Sequence, residues 1–248
     1  MNSTIPKPKK HHQRVFRGRH LLQIAVPLGG IGAGCICLNG YGGLQDFSIR
    51  HAPANSAEPD RHEARDTGFA LLRLPEEGQT RLVEGPLPPE KLYDQGLRAQ
   101  GYNGGGQEGL PRFRNASFQG EYPFATVKLS DSALPVDVTI TGFNPFIPLD
   151  DVNSGIPCAI LEYTLHNRSK KAVAYQFSYH LSHLAQKGIK TSPRSAAIPG
   201  AGVSFWNEEP ADSPAYANEL RWCSDEIIQQ LQIHCPGAKI KKINVTIA

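Results

Sequence analysis

Four stretches of the chain alternate apolar and polar residues one by one, and this period of two constrains the fold more than any other feature. Ala125, Val127 and Leu129 share one side of the first stretch. Val136, Val138 and Ile140 share one side of the second, with Asp137, Thr139 and Thr141 opposite. Ala159, Leu161, Tyr163 and Leu165 form the third. Val173, Tyr175, Phe177, Tyr179 and Leu181 form the fourth, with Gln176, Ser178 and His180 opposite. Successive Cβ atoms of an extended chain point to opposite faces, so each stretch predicts a strand with one buried and one wet face. Half-wet strands joined by short turns are antiparallel, and stacking their apolar faces makes a sandwich. The expected fold class is all-β, an antiparallel β-sandwich, with Val138 in the core and Asp137 and Thr139 outside. Asn167–Lys170 reads as a polar turn that closes the third and fourth strands into a hairpin.

The flanking regions read differently. Residues 1–23 are polar and basic; within 1–20 stand six Lys or Arg and no acidic residue, so this segment is expected to be a mobile arm. The chain as a whole carries +3, which leaves residues 21–248 slightly acidic and gives no reason to expect a nucleic-acid partner. From Ile24 a Gly-rich entry leads into a short strand near Ala33–Leu38, a turn at Asn39-Gly40 and a second strand near Leu44–Arg50. Phe69–Leu74 is another apolar run. Residues 75–120 read as one long polar loop with Gly104-Gly105-Gly106. The 24 Gly and 20 Pro of the chain agree with many turns and short elements. After Trp206 the pattern changes again. Leu220, Cys223, Ile227, Ile228 and Leu231 recur at helical spacing, and Pro236-Gly237 ends that helix. The expected organisation is an arm over 1–23, a sandwich domain over 24–216 and an atypical tail with a short helix over 217–248.

No stretch has the eighteen or more apolar residues of a membrane span, and no apolar core follows the basic arm as in a secretory signal. Five widely spaced cysteines do not form a disulfide framework. A cytoplasmic location is expected, with peripheral membrane association allowed.

Chemistry-bearing motifs are weak. The Gly run at Gly29–Gly34 is followed by a strand-like segment, whereas a dinucleotide fingerprint needs a helix N-terminus there. Cys35 and Cys37 are two apart, unlike the paired Cys-x-x-Cys of a zinc ribbon, and read as small buried hydrophobes. His11-His12 lie in the arm without a second ligand pair, and the spacing of His180 and His183 puts them on opposite strand faces. Glycosidase chemistry needs two carboxyl groups roughly 5–5.5 Å apart for retention. Asp46, Glu121, Asp150 and Asp151 flank apolar segments, but each reads as a turn or cap residue. No catalytic, cofactor-binding or metal-ligating residue is therefore assigned, and no cofactor is expected.

Several stretches resemble a known family. Val26-Pro-Leu-Gly-Gly-Ile-Gly-Ala-Gly, with Gly42-Gly-Leu-Gln-Asp-Phe-Ser-Ile behind it, is similar to the opening of glycoside hydrolase family 116, the non-lysosomal glucosylceramidase or bile-acid β-glucosidase type. Gly120-Glu-Tyr-Pro-Phe-Ala, Gly142-Phe-Asn-Pro-Phe-Ile-Pro-Leu-Asp and Asn153-Ser-Gly-Ile-Pro-Cys-Ala-Ile-Leu-Glu-Tyr resemble its later landmarks in order. The resemblance runs from about Ile24 to about Tyr216. It implies a retaining β-glucosidase in which an N-terminal sandwich joins a C-terminal (α/α)6 barrel that carries the nucleophile Glu and the acid/base Asp. It also implies that this chain supplies only the sandwich, with both catalytic carboxylates absent and the barrel, in the same or a neighbouring chain, as its partner. A free carbohydrate-binding module, stacking sugars on Tyr102, Phe113 or Trp206, is the alternative. The segment after Tyr216 does not resemble the family's further strands. The sandwich is thus expected to be short of strands, and the tail foreign to it through truncation.

Overall fold

The computed structural model describes residues 14–49, 66–89, 107, 109–184, 192–199 and 202–208. Strands dominate these residues. The first layer is a five-stranded antiparallel sheet in the order β1 (Val15–Arg17), β7 (Asn115–Glu121), β8 (Phe124–Ser130), β9 (Val136–Phe143) and β10 (Ile160–Asn167). Two three-stranded sheets supply the opposing side. One is β2 (Ala25–Leu28), β3 (Cys35–Asn39) and β4 (Leu44–Ser48); the other is β11 (Gln176–Leu181), β5 (Gly68–Leu74) and β6 (Gln79–Leu82). A ribbon of β12 (Ser192–Ile198) and β13 (Gly202–Glu208) stands beside them.

The alternation places the core as expected. Val127 faces Ile140, and Ile140 faces Tyr163, across paired strands. The inner side chains of β8 and β9 meet Ala70, Leu72 and Leu74 of β5 and Leu28 and Leu38 of the β2–β4 sheet in one cluster. Val138 is buried, while Asp137 and Thr139 are half-exposed on the other face. Gly142 is an inner position where a Cβ would stand 3.0 Å from the δ-carbons of both Leu28 and Leu38, so a larger residue there would require those side chains to shift.

Four expectations need correction. Asn167–Lys170 does not close a hairpin, because β10 pairs with β9 while β11 pairs with β5 in the opposing layer. The eight residues from Arg168 to Tyr175 cross between layers, longer than a tight hairpin needs. Tyr175 lies in this crossover and is 57% exposed, not on the inner face. The 75–120 segment is not one loop. It contains β6 and all of β7 but its last residue, and it buries Val83 and Phe113. Both strands escape a hydrophobicity scan because their inner positions are sparse: beside Phe118, the same side of β7 carries only Ala116 and Gly120. Finally, the basic segment does not stay separate from the domain throughout. Val15–Arg17 extends the sheet beside β7, Phe16 packs on the core, and Leu21 is buried in the 3-10 turn Gly18–Leu21. Tail residues 217–248, including the expected helix, lie outside the described residues, as do Tyr102 and His11-His12.

Candidate functional site

The antiparallel order of the first layer fixes two ends. The β8–β9 turn lies at one, and the β7–β8 turn and the long β9–β10 connection lie at the other. The second end is built from loops, with the Gly-rich β2–β3 loop joining them. Asn144 Nδ2 donates to Pro27 O at 2.8 Å, and Ile31 N donates to Ser154 O at 2.7 Å. A Cβ on Gly30 would come within 2.4 Å of Ile156 O, so the two loops touch backbone to backbone. The Gly run thus serves close packing, as the missing helix after it implies.

Hydrogen bonds fix the β9–β10 connection internally. Asp150 caps the single helical turn Asp151–Ser154, its carboxylate accepting from Asn153 N at 2.9 Å and from Asn153 Nδ2 at 2.6 Å. Ser154, fully buried, accepts from Ile147 N at 2.8 Å and donates to Ile147 O at 2.9 Å. Phe146 N donates to Asn144 Oδ1 at 2.9 Å. The Tyr122 hydroxyl donates to Phe146 O, and the two rings meet edge-on at 6.2 Å. The result is a braced scaffold with an apolar exterior. Of eight large apolar side chains exposed among the described residues, five stand here: Ile31, Tyr122, Phe146, Leu149 and Val152. Leu149 has φ 66° and is 107% exposed.

The residues weighed for chemistry fall elsewhere or into structural roles. Cys35 and Cys37 neighbour one another on β3, opposite a bulge where Cys37 pairs with Gln45 and Cys35 with Ser48. Asp46, in the bulge at φ 55°, accepts from Gln45 Nε2 at 2.9 Å. Burial first, then Cys35 and Asp46, push the Cys37 thiol up to about 12. A thiol held protonated in this way is a poor nucleophile and a poor metal ligand. Among the described residues, no three His, Cys, Asp or Glu side chains gather as a metal site. His180 stacks on Phe69 at 4.8 Å and bonds Ser178 Oγ at 3.0 Å; His183 Nε2 bonds Arg194 O at 2.7 Å, so the two histidines have different partners. Glu121 is exposed at the end of β7, and Asp151 is exposed in the helical turn. Phe113, considered above for sugar stacking, is only 1% exposed and belongs to the core. Trp206 is half-buried on β13 opposite Arg194.

Sequence reasoning missed the buried ion pairs. Asp131 is 1% exposed, with Arg81 Nε at 3.4 Å and Arg114 Nε at 3.5 Å. Glu84 pairs with Arg112 at 3.5 Å. It also missed the apolar loop end, although Phe146-Ile-Pro-Leu149 is an apolar run in a segment that alternation leaves unclaimed, which was the available signal.

The described residues thus form an antiparallel sandwich with the Arg81–Asp131 pair joining the layers at one end and a braced loop surface with exposed apolar side chains at the other. The family is then read from the sequence. The family model described as beta-glucosidase 2, glycosyl-hydrolase family 116 N-term, matches residues 25–196, more than two thirds of the chain, and the chain belongs to this family as its N-terminal domain. The match opens at β2 and closes within β12. No curated protein matches the chain significantly. Among the described residues, no helix is long and apolar enough to cross a membrane.

Proposed function

We propose that this chain serves as the non-catalytic sandwich of a retaining β-glucosidase of the glucosylceramidase type, with hydrolysis of a glycolipid or other β-glucoside carried out by an (α/α)6 barrel outside the sandwich. The observation that carries the reading is how the chain uses its enclosed carboxylates. Asp131 faces two arginines, Glu84 faces Arg112, and Asp150 caps a helical turn. Retention needs two carboxyl groups on either side of one glycosidic bond, one free to protonate the leaving oxygen and one free to attack the sugar. A carboxylate committed to guanidinium or backbone partners is tied to its structural role. The purified chain is expected to leave an aryl β-glucoside unhydrolysed. Turnover that disappears on replacing one carboxylate of this chain would overturn the reading.

A further inference from the structure

We propose that Cys35 and Cys37 form a reversible oxidation site, a thiol pair that hydrogen peroxide closes into a disulfide and that thereby alters the packing of the Gly-rich loop just before it. The two residues are two positions apart in β3, so their side chains leave the same face of the strand. Residues so spaced along a strand stand roughly 6.4–6.8 Å apart, at the upper end of the Cα spacing a disulfide spans. Both are free thiols. The neighbouring strand brings a third group to them. The two steps along β3 from Cys35 to Cys37 lie opposite three along β4 from Ser48 to Gln45. The additional residue is taken up in a bulge that holds Asp46 at φ 55°. The Cys37 thiol lies within hydrogen-bonding reach of both the Cys35 sulfur and the Asp46 carboxylate.

Burial gives the two sulfurs different parts. Cys35 is half-buried and open to a small solute, whereas Cys37 is only 8% exposed. The Cys35 thiolate attacks one oxygen of hydrogen peroxide. The O–O bond breaks, the departing hydroxide takes up the proton that Cys35 released, and Cys35 becomes a sulfenic acid. The Cys37 sulfur then attacks the Cys35 sulfur. An S–S bond forms and the S–O bond breaks, while the Cys37 proton passes by way of Asp46 to the departing hydroxide, which leaves as water. The two thiols are oxidised together to one disulfide, and the peroxide is reduced to two waters. A thiol pushed up to about 12 is a poor nucleophile in solution. Here its target is held beside it and a carboxylate stands ready for its proton, so proximity offsets the low acidity.

The effect of the bond is local. It closes a ring of three residues, which constrains the unfolded chain little and adds little to global stability. Its consequence is geometric. Cys35 follows Gly34, which has φ 89° and where a Cβ would stand 2.5 Å from Ser48 O, so the loop enters β3 hard against the bulged strand. Within the same loop the backbone of Gly30 touches Ile156 of the β9–β10 connection. Drawing the two sulfurs together pulls on a backbone in close contact on both sides, and packed contacts of this kind transmit strain.

The experiment uses the full 248-residue chain, in which residues 20–50 form one tryptic peptide with no cysteine besides these two. The native chain is treated with hydrogen peroxide, unfolded, alkylated and digested. The 20–50 peptide should be lighter by two hydrogens and carry no alkyl group, at a peroxide concentration that leaves Cys158, a half-buried thiol also pushed up by burial, open to alkylation. Dithiothreitol should restore both sites. Cys37→Ser should leave Cys35 as a sulfenic acid that dimedone labels, and Cys35→Ser should leave Cys37 unoxidised. Asp46→Asn keeps a residue that tolerates positive φ and should slow closure by about tenfold or more, with dimedone labelling of Cys35 unchanged in the Cys37→Ser background. Hydrogen exchange in the oxidised native chain should change over residues 29–36, 44–48 and 155–157 and stay the same at 131–135. A 20–50 peptide alkylated at both cysteines, or Cys35 linked instead to Cys158, Cys223 or Cys235, would overturn the pair, and that measurement needs no variant to fold. Identical exchange in the reduced and oxidised chains would overturn its effect on the loop.

Discussion

At one end of the five-stranded sheet a charged carboxylate is shut away from water; at the other a leucine stands wholly in it. Asp131, in the β8–β9 turn, lies between Arg81 of the opposing layer and Arg114, and it also accepts from Ala133 N at 2.9 Å. Arg168 closes the same end, its Nη2 donating to Asp131 O at 2.8 Å and Leu134 O at 2.5 Å, with its Nε 3.1 Å from Asp137 Oδ1. Here the crossover from β10 to β11 is fastened to the β8–β9 turn. The far end is braced as thoroughly, but by Asp150, Ser154 and Asn144, and its apolar side chains face outward. Polar groups are buried where the chain supplies their partners. Apolar groups stay exposed where it does not.

The hardest test of this contrast is at its midpoint. Val138 lies in the core of β9, between the two ends, and Val138→Asp would bury a carboxylate with no arginine to meet it. It should cost about 4 kcal/mol or more. Thr139→Asp, one residue on and facing water, should cost little. Urea melts giving equal losses for both would place the register of β9 one residue out.

At the charged end, Asp131→Ala leaves Arg81, only 13% exposed, without its carboxylate. A loss of about 3 kcal/mol in the same melts is expected, as for a broken buried pair. A loss no larger than that of a surface substitution would mean that the pairing contributes nothing to closing this end.

At the apolar end, Ser154→Ala removes both bonds to Ile147 and leaves the Ile147 N–H without its acceptor, for about 2 kcal/mol. The sharper observable is hydrogen exchange, which should quicken over residues 144–155 and stay unchanged at 131–135. Faster exchange at both ends would show that they are not independent.

Smallest of all, Leu149→Asn should raise stability by up to about 1 kcal/mol, since asparagine tolerates the left-handed region and no buried contact is lost. A destabilised variant would show that Leu149 makes contacts within the chain.

The pH dependence has one clear sign. Burial raises the Cys37 thiol to about 12 and pushes the Tyr163 and Tyr179 hydroxyls up as well. The folded state therefore holds these protons more tightly than the unfolded one. Stability from this source is intact below the ordinary thiol range near 9 and declines as pH rises toward 12. Melts between about pH 8 and 11 should show a steady fall, and iodoacetamide should label Cys37 only as the protein opens. Flat stability across that range would contradict the burial of these groups.

The faces of the strands were determined by sequence alone. Because consecutive Cβ atoms point to opposite sides, Val127, Val138, Ile140 and Leu161 could be placed inward without any knowledge of their neighbours. Strands with full alternation were therefore legible, and β6 and β7, whose inner positions are small or few, were not. Which strand lies beside which was decided only in three dimensions. The ladder is made of backbone N–H and C=O groups that are alike in every residue, so nothing in β11 announces that its partner is β5, more than a hundred residues earlier, instead of β10 just before it. The pairing of Asp131 with Arg81 is hidden for the same reason: the partners lie in different layers, 50 residues apart. So is the loop end, where Ile31, Tyr122, Phe146, Leu149 and Val152 come from three separate connections. Each is an ordinary exposed residue in the sequence, and only the antiparallel order of the strands brings their loops to the same end and turns single side chains into a surface.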